Sequence, residues 1–509
     1  MKNYIFKTAI CAALALPLTT ACELDQLPQG TISTEQSWEK LEDANNYYVG
    51  LLSNLRAVSG GGYNYVSECQ SDLFNVVRGA SSLNDVHEWT FTTSQFGGNA
   101  TWTGNYGLIC AANNIINNID NIKVESDEDQ FFLDNIKGTA YFARAYGYAN
   151  MVTRYCKNYD AATAGNELGL PLVTKVDVNA KPARATLEQT FQQIMSDITK
   201  AEPLLPAYQE SSVPTGYTLM ALKARVCLYM KNYEQAIELA DELIAAYPLG
   251  SETDYMMTWV ADDATFETIY QPLQTPDERL NSYAPIFINY NIATEGHNPY
   301  FLPTQGLMDL YERGDVRKST FFTRVTISPV MGTQKDNAKG YMFFKFPGNP
   351  ELLKSGETTG EEGNTWVNMH KPFRVAEMYL IAAEANLFKA AKDENAALGY
   401  LNNLRQARGA SQLTKTGDEL VTEMKNEWVR EMVGEGFRLD CLKRWNDPVK
   451  RMAAQEFGSD KNIIVNLQPD RQTQLEINPT DYLYYKMIWE IPSQDTQANK
   501  NLVGNWPKN

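Results

Sequence analysis

The feature that most constrains this fold is a pair of apolar-periodic segments, 219–230 and 233–246, separated by only two residues. Apolar residues recur in both at spacings of three and four, which is the period of one face of an α-helix. Small residues such as Ala221 and Ala224 let neighbouring helices approach closely. Because so short a connection makes the two helices antiparallel neighbours, the sequence predicts closely packed helical hairpins.

This hairpin resembles a tetratricopeptide repeat, a helical unit that buries its apolar face by stacking on neighbouring units. A similar pair occupies 373–390 and 395–408, so we expect several degenerate repeats and no regular array. The predicted class is all-α, in one domain over 38–509. The helical scaffold is expected over approximately 38–59, 105–249 and 372–445.

Two long stretches, 60–104 and 250–371, lack a sustained helical period and are rich in glycine, polar residues and aromatic rings. Irregular segments of this length in a compact protein are usually functional or disordered. Their aromatic content argues against disorder. We therefore expect them to form a loop-rich ligand-binding face on the helical scaffold.

The amino terminus predicts export. Lysines, an apolar run over 9–18 and small residues form a secretory signal peptide over 1–21. Cys22 then completes a bacterial lipobox and is the predicted lipidation site, with 22–37 as a short tether. Since no segment is long and apolar enough to span a bilayer, we expect membrane contact through the lipid anchor only.

Charge and motif content exclude several function classes. The chain has 62 acidic and 45 basic residues, a net charge of -17, so nucleic acid would be repelled. Its three histidines are far apart in sequence and give little material for a zinc site. No nucleotide-binding or serine-hydrolase motif is present. We expect no metal, no cofactor and no nucleic-acid partner.

Two pairs of acidic residues sit at helical spacing and share a face, as the two carboxylates of a glycosidase would need to do across a cleft. Arginines lie three or four residues from them or from neighbouring acids, so structural ion pairing is the simpler interpretation. We therefore expect no catalytic residue. The acids are Glu377 with Glu384 and Glu427 with Glu431, and the arginines are Arg374, Arg430 and Arg438.

The aromatic and polar residues of the two loop-rich stretches are the better candidates for binding. Planar rings beside charged and amide groups can hold a sugar ring by stacking and by hydrogen bonds. The predicted ligand-binding residues are Asp72, Arg78, Trp89, Phe96, Asn99, Trp102, Tyr283, Tyr290, Tyr300 and Phe301.

Several segments together carry a family resemblance. The chain reads RVAEMYLIAAEA from Arg374 and LNNLRQARG from Leu401. Later come Glu427, Arg430 and Glu431, then a closing segment that reads WEIP from Trp489. In combination these segments resemble the SusD/RagB family of surface lipoproteins from Bacteroidetes.

The resemblance implies a helical scaffold of tetratricopeptide-like units with a loop-rich ligand face. It also implies a lipid-anchored location at the outer membrane, facing the cell exterior. The implied partner is a SusC-like TonB-dependent outer-membrane barrel, to which the protein delivers a captured oligosaccharide or, in some members, a peptide. These motifs belong to the scaffold, so they assign no binding residue.

Three alternatives to glycan capture stay open. A surface glycoside hydrolase would release reducing ends, although the arginines near the acids argue against it. A tetratricopeptide-like scaffold for adhesin or fimbrial assembly would bind a protein partner. Capture of a peptide in place of a glycan would use the same loop-rich face.

Overall fold

The structure, a computed structural model, describes residues 37–93, 98–177, 179–280, 284–331, 334–335, 337–363, 365–457 and 475–507. Cys22 and the signal peptide over 1–21 lie outside these residues, as do Phe96 and Tyr283. Helices dominate the described chain, which confirms the all-α prediction. None of the described helices is both long enough and apolar enough to cross a membrane.

The helices follow one another along the whole described chain. They are α1 (Leu41–Val58), α2 (Gly62–Gln70), α3 (Asn84–His87), α4 (Asn99–Asn118), α5 (Asp127–Tyr155), α6 (Leu187–Ala201), α7 (Gly216–Tyr229), α8 (Tyr233–Ala246), α9 (Glu252–Val260), α10 (Ala284–Phe287), α11 (Gln305–Asp309), α12 (Val316–Phe321), α13 (Gly360–Gly363), α14 (Val375–Phe388), α15 (Glu394–Ala407), α16 (Gly417–Met432), α17 (Arg438–Trp445) and α18 (Ser493–Ala498). Short 3-10 helices cover Ile119–Asn121, Ile292–Thr294, Pro350–Leu352 and Tyr482–Met487.

Local sequence sets several helix boundaries. At α6 the Thr186 side chain accepts the backbone N–H of Gln189, whose own side chain accepts the N–H of Thr186. This reciprocal cap satisfies two donors that the first helical turn would leave unpaired. Phe191 and Ile194 then lie on the buried face, one turn apart. The cap and the apolar stripe together fix where α6 begins and how it faces the core.

The predicted hairpins are present. The segments 219–230 and 233–246 form α7 and α8, which pack against each other, and the second pair forms α14 and α15. Helix α14 contacts α7, α8, α15 and α16, so almost its whole length is buried. Alanines such as Ala376, Ala382 and Ala383 are fully buried and allow this close packing.

The two stretches predicted as loops contain more regular structure than expected. Residues 60–104 include α2 and the first turn of α4, and 250–371 include α9 and most of the strands. Helix α2 is only nine residues long, and its second half is buried on all sides. Because tertiary burial stabilises so short a helix, no amphipathic stripe marks it in the sequence.

The strands are short, and those in the described residues belong to five small sheets. They are β1 (Phe74–Val76), β2 (Thr268–Tyr270), β3 (Tyr290–Asn291), β4 (Gly296–His297), β5 (Phe301–Pro303), β6 (Phe322–Ile327), β7 (Val330–Met331), β8 (Gln334–Lys335), β9 (Ala338–Phe343), β10 (Phe373–Arg374), β11 (Val449–Lys450) and β12 (Glu476–Ile477). The largest sheet has the order β3-β4-β6-β9, and its β6–β9 pair is antiparallel from Phe322 against Phe343 to Ile327 against Ala338. The pairs β1–β5, β2–β10, β7–β8 and β11–β12 are also antiparallel.

In the part of the chain that the structure describes, two apolar cores lie under these elements, one within the helical scaffold and one within the loop-rich half. A buried ion-pair network lies where α16 meets the loop-rich half. We define this network by Glu267, Asp315, Arg317, Arg374, Arg405, Arg408, Glu427, Arg430, Glu431 and Glu435. Ion pairs of this kind must be almost fully satisfied, since an unpaired buried charge is costly.

In this network the acidic pair Glu427 and Glu431 takes part in ion pairs with arginines. Glu427 accepts hydrogen bonds from Arg317, Arg405 and Arg430 at 2.6, 3.0 and 2.8 Å. Burial opposes its ionisation, but the charges of these arginines lower the pKa of Glu427 to about 2. The Glu427 carboxylate thus joins α16 to α12 and α15.

Candidate functional site

Five of the predicted binding residues lie in the interior. Asp72, Arg78, Trp89, Trp102 and Phe301 are at most 4% exposed. Their ring faces and charged groups are covered by the protein itself, so in this structure they offer no surface to a ligand. We therefore correct the prediction for these five positions.

The contacts of three of these residues show that they stabilise the interior. Asp72 accepts two hydrogen bonds from the guanidinium of Arg438, at 2.8 and 2.7 Å. The ring of Trp102 packs against that of Tyr155, with centroids 4.9 Å apart. Phe301 lies in β5 opposite Val76 of β1. Aromatic and polar residues also suit a buried junction between elements, which explains the wrong prediction.

Three predicted residues are partly exposed. Asn99 begins α4 and donates its amide to the Thr93 carbonyl at 3.5 Å. The Tyr300 hydroxyl accepts a hydrogen bond from Ser81 at 3.1 Å. The Tyr290 ring meets His297 edge-on at 5.1 Å between centroids. These three remain candidate ligand contacts.

A large cavity lies elsewhere, between the segment 90–93 and the carboxyl-terminal segment 482–507. We call it the terminal cleft. Its volume is about 720 Å³, within the range of pockets that enclose small ligands. Of the predicted binding residues that the structure describes, none lines it.

A series of aromatic rings runs from the surface into the terminal cleft. Tyr482 is 74% exposed, Tyr485 and Trp506 are half-buried, and Phe91 is buried. Neighbouring rings along this series have centroids 5.6, 5.6 and 5.5 Å apart. Successive planes are steeply inclined, at 69°, 75° and 57°. The cleft therefore presents aromatic surface at several depths.

The outer wall of the terminal cleft is fixed by one carboxylate. Glu490 accepts the backbone N–H groups of Ile491, Asn505 and Trp506 at 2.8, 2.7 and 2.5 Å. Gly504 lies so close to this carboxylate that a Cβ there would sit 2.7 Å from an oxygen. The loop that carries Trp506 is consequently held against the segment that contains Glu490, just before α18.

The floor of the terminal cleft is fixed by one ammonium group. Trp89 has φ at 62°, an uncommon conformation for a bulky residue, and its indole N–H donates to the Gln70 carbonyl at 2.9 Å. Lys486 is buried and donates to the carbonyls of Trp89 and Phe91 at 2.7 and 2.8 Å. These bonds hold the start of 90–93 in place despite the strained backbone at Trp89.

Replacing Lys486 by methionine is expected to lower the free energy of unfolding by about 2 kcal/mol, because two buried carbonyls lose a charged donor. Methionine keeps the apolar stem, so the loss reports mainly on these bonds. Urea unfolding followed by circular dichroism measures it. Lys500→Met is the matched control, since Lys500 is exposed on the same cleft. Equal stability of both variants would contradict the assigned role.

Polar groups between the rings complete the chemistry of the terminal cleft. Hydroxyl and amide side chains line it at Thr90, Thr92, Thr93, Ser493, Thr496 and Gln497. Such groups both donate and accept hydrogen bonds, as the hydroxyls of a sugar do. No cluster of histidine, cysteine, aspartate and glutamate able to hold a metal ion occurs in the described part of the chain.

Sequence reasoning missed this site because its outer wall lies in the carboxyl-terminal segment, where we singled out only the closing WEIP motif and no binding residue. The signal that could have found it is the run DYLYYK from Asp481, where three tyrosines occur within four residues. Tyr482 is the most exposed large apolar or aromatic side chain in the described chain.

Comparison with known proteins gives a consistent result. Residues 33–228 match a family model described as "Starch-binding associating with outer membrane", and residues 253–507 match one described as "SusD family". A curated relative, SusD-like protein P38 of Formosa agariphila, is 23% identical over 487 residues, covering 86% of this chain and 91% of the relative.

Solved structures share the fold. A SusD superfamily protein from Bacteroides thetaiotaomicron superposes with a TM-score of 0.72 at 22% identity, over 92% of this chain and 100% of that one. A SusD-like carbohydrate binding protein from Bacteroides vulgatus has a TM-score of 0.70 at 21% identity, over 93% of this chain and 99% of that one. A laminarin binding SusD-like protein has a TM-score of 0.68 at 18% identity, over 92% of this chain and 100% of that one.

Proposed function

The chain belongs to the SusD/RagB family, and from this premise we propose that it is a surface lipoprotein that captures a glycan and delivers it to a SusC-like TonB-dependent transporter. The binding step takes place in the terminal cleft. Capture and delivery need no covalent chemistry, so the protein is a binding protein and not an enzyme.

The observation that carries the glycan proposal is the ring series Tyr482, Tyr485 and Trp506 beside hydroxyl and amide groups. A sugar presents C–H groups on its ring faces and hydroxyls at its edges. It therefore packs on aromatic faces while its edges form hydrogen bonds. The laminarin-binding and carbohydrate-binding proteins of the same fold support this assignment.

The proposed location is the outer membrane, with the domain facing the cell exterior. Support comes from the lipobox ending at Cys22 and from the family description, which names association with the outer membrane. A lipid on Cys22 would anchor the domain through a short tether, since α1 begins at Leu41. The anchor keeps the captured glycan beside the transporter.

The proposed function is tested with the mature chain released from the membrane by Cys22→Ser. Affinity gel electrophoresis against a panel of plant, microbial and host polysaccharides measures binding, and an assay of reducing ends measures turnover. We expect saturable retention by at least one glycan with no product formed. Released reducing ends would indicate a hydrolase. Binding of mixed peptides but of no glycan would indicate a peptide receptor. Binding of neither ligand class would indicate a scaffold role.

A further inference from the structure

The charges of the terminal cleft constrain the glycan class. Only three charged side chains line the cleft among the described residues: Lys486, Glu490 and Lys500. The ammonium of Lys486 is buried beneath the floor and is directed at two backbone carbonyls. The ammonium also lies 4.6 Å from the centroid of the Phe91 ring and 5.6 Å from that of the Trp506 ring.

The negative side chain of the cleft, Glu490, is likewise bonded to the protein backbone. Glu490 is 7% exposed, and its two carboxylate oxygens accept three backbone N–H groups. It therefore stabilises the loop that carries Trp506 and has little capacity left for a ligand. Neither of the two buried charges is presented to the open space of the cleft.

Lys500 is the remaining charge, and it lies exposed at the rim, just after α18. A single flexible ammonium in water binds a carboxylate or sulfate weakly. Strong recognition of such groups uses the planar, two-pronged guanidinium of arginine. The described lining of the cleft contains no arginine. An acidic glycan would thus enter a cleft without a counter-charge at its centre.

The net charge of the whole chain also disfavours binding of an acidic glycan. With 62 acidic against 45 basic residues, the average field repels polyanions at long range. The groups that do face the cleft are neutral hydroxyls and amides, such as those of Ser493 and Gln497. A neutral polymer meets no such repulsion and finds matching hydrogen-bond partners.

We propose that the terminal cleft selects uncharged, hydroxyl-rich glycans and discriminates against uronate-bearing and sulfated ones. This inference rests on the proposed function and specifies the ligand class of the same site. Discrimination arises because a carboxylate or sulfate would lose water on entering and gain no charged partner.

The test uses the mature Cys22→Ser chain and two sets of named polymers. Xyloglucan, galactomannan, arabinoxylan and laminarin are neutral, whereas polygalacturonate, alginate and chondroitin sulfate are acidic. The neutral polymer that binds best is then oxidised at its primary hydroxyls, which adds carboxylates to an unchanged backbone. Dissociation constants are measured in roughly 0.05 M and 0.5 M NaCl, since salt screens exposed charge pairs.

We expect retention by a neutral polymer, little change with salt, and at least a tenfold weaker binding after oxidation. Preferred binding of an acidic polymer, lost in high salt or in Lys500→Gln, would overturn the inference and leave the capture function intact. Retention by no polymer would overturn the capture function itself.

Discussion

Replacing Glu431 by glutamine is expected to lower the free energy of unfolding by about 3–5 kcal/mol, the range seen when one partner of a buried ion pair is removed. Glu431 is fully buried and accepts hydrogen bonds from Arg317, Arg374 and Arg408 at 3.2, 2.8 and 3.1 Å. Burial opposes its ionisation, yet these arginines hold the pKa of Glu431 well below its usual value. Glutamine keeps the shape of the side chain but leaves the guanidinium charges uncompensated.

Urea unfolding at neutral pH measures this loss, and Glu419→Gln provides the control. Glu419 lies on the same helix, α16, but is exposed and pairs with Lys415 in solvent, so its replacement should leave stability unchanged. Equal losses in the two variants would contradict the role of the buried ion-pair network.

The dependence of folding stability on pH provides a second test of the buried ion-pair network. The pKa of Glu427 is about 2 in the folded chain against about 4.3 in an unfolded one. Its stabilising contribution is therefore present above about pH 4 and is lost as the pH falls towards 2. The pKa of Glu431 is shifted in the same direction, so the wild-type chain should lose more stability on acidification than Glu431→Gln does.

Much of the helical scaffold could be predicted because its signals are local. The hairpin α7–α8 follows from apolar spacing and a two-residue connection, and the start of α6 follows from the cap at Thr186. Helix α2 could not be predicted in this way. Tertiary burial stabilises it, and the sequence records that burial only through contacts with distant elements.

The ion pairs show the same limit. Sequence spacing suggested arginines within three or four residues as partners, and Arg430 with Glu427 is such a pair. Glu377 instead pairs with Arg225, 152 residues away, and Glu384 with Arg444, 60 residues away. Spacing along a helix can predict an ion pair within that helix. It cannot predict a partner that lies on another element.

The candidate site was the least predictable part. Trp89 and Tyr482 are both aromatic residues in polar surroundings, but the first is fully buried and the second is 74% exposed. Composition alone does not distinguish a ring that packs in the core from one that faces a ligand. The distinction depends on which segments meet, and here 90–93 meets the carboxyl-terminal segment, about 400 residues later in the chain.

Replacing Trp506 by alanine is expected to weaken glycan binding by about 2 kcal/mol, roughly thirtyfold, as truncation of a central aromatic contact does. The Trp506 ring lies between those of Tyr485 and Phe91, and its indole N–H is already donated to the Ile488 carbonyl at 2.7 Å. Its remaining contribution to a ligand is therefore its apolar face. Calorimetric titration with the glycan retained by the wild-type chain measures the loss.

Three further variants separate the loss of the ring face from a loss of folding. Trp506→Phe retains a flat ring and should recover most of the affinity, whereas Tyr208→Ala removes a 47% exposed ring that does not line the cleft and should change nothing. Tyr482→Ala removes a ring that is 74% exposed, so folding should be preserved while binding weakens. Wild-type affinity in both Trp506→Ala and Tyr482→Ala would place the glycan outside the terminal cleft, and Tyr290 and Tyr300 would then be the next positions to replace.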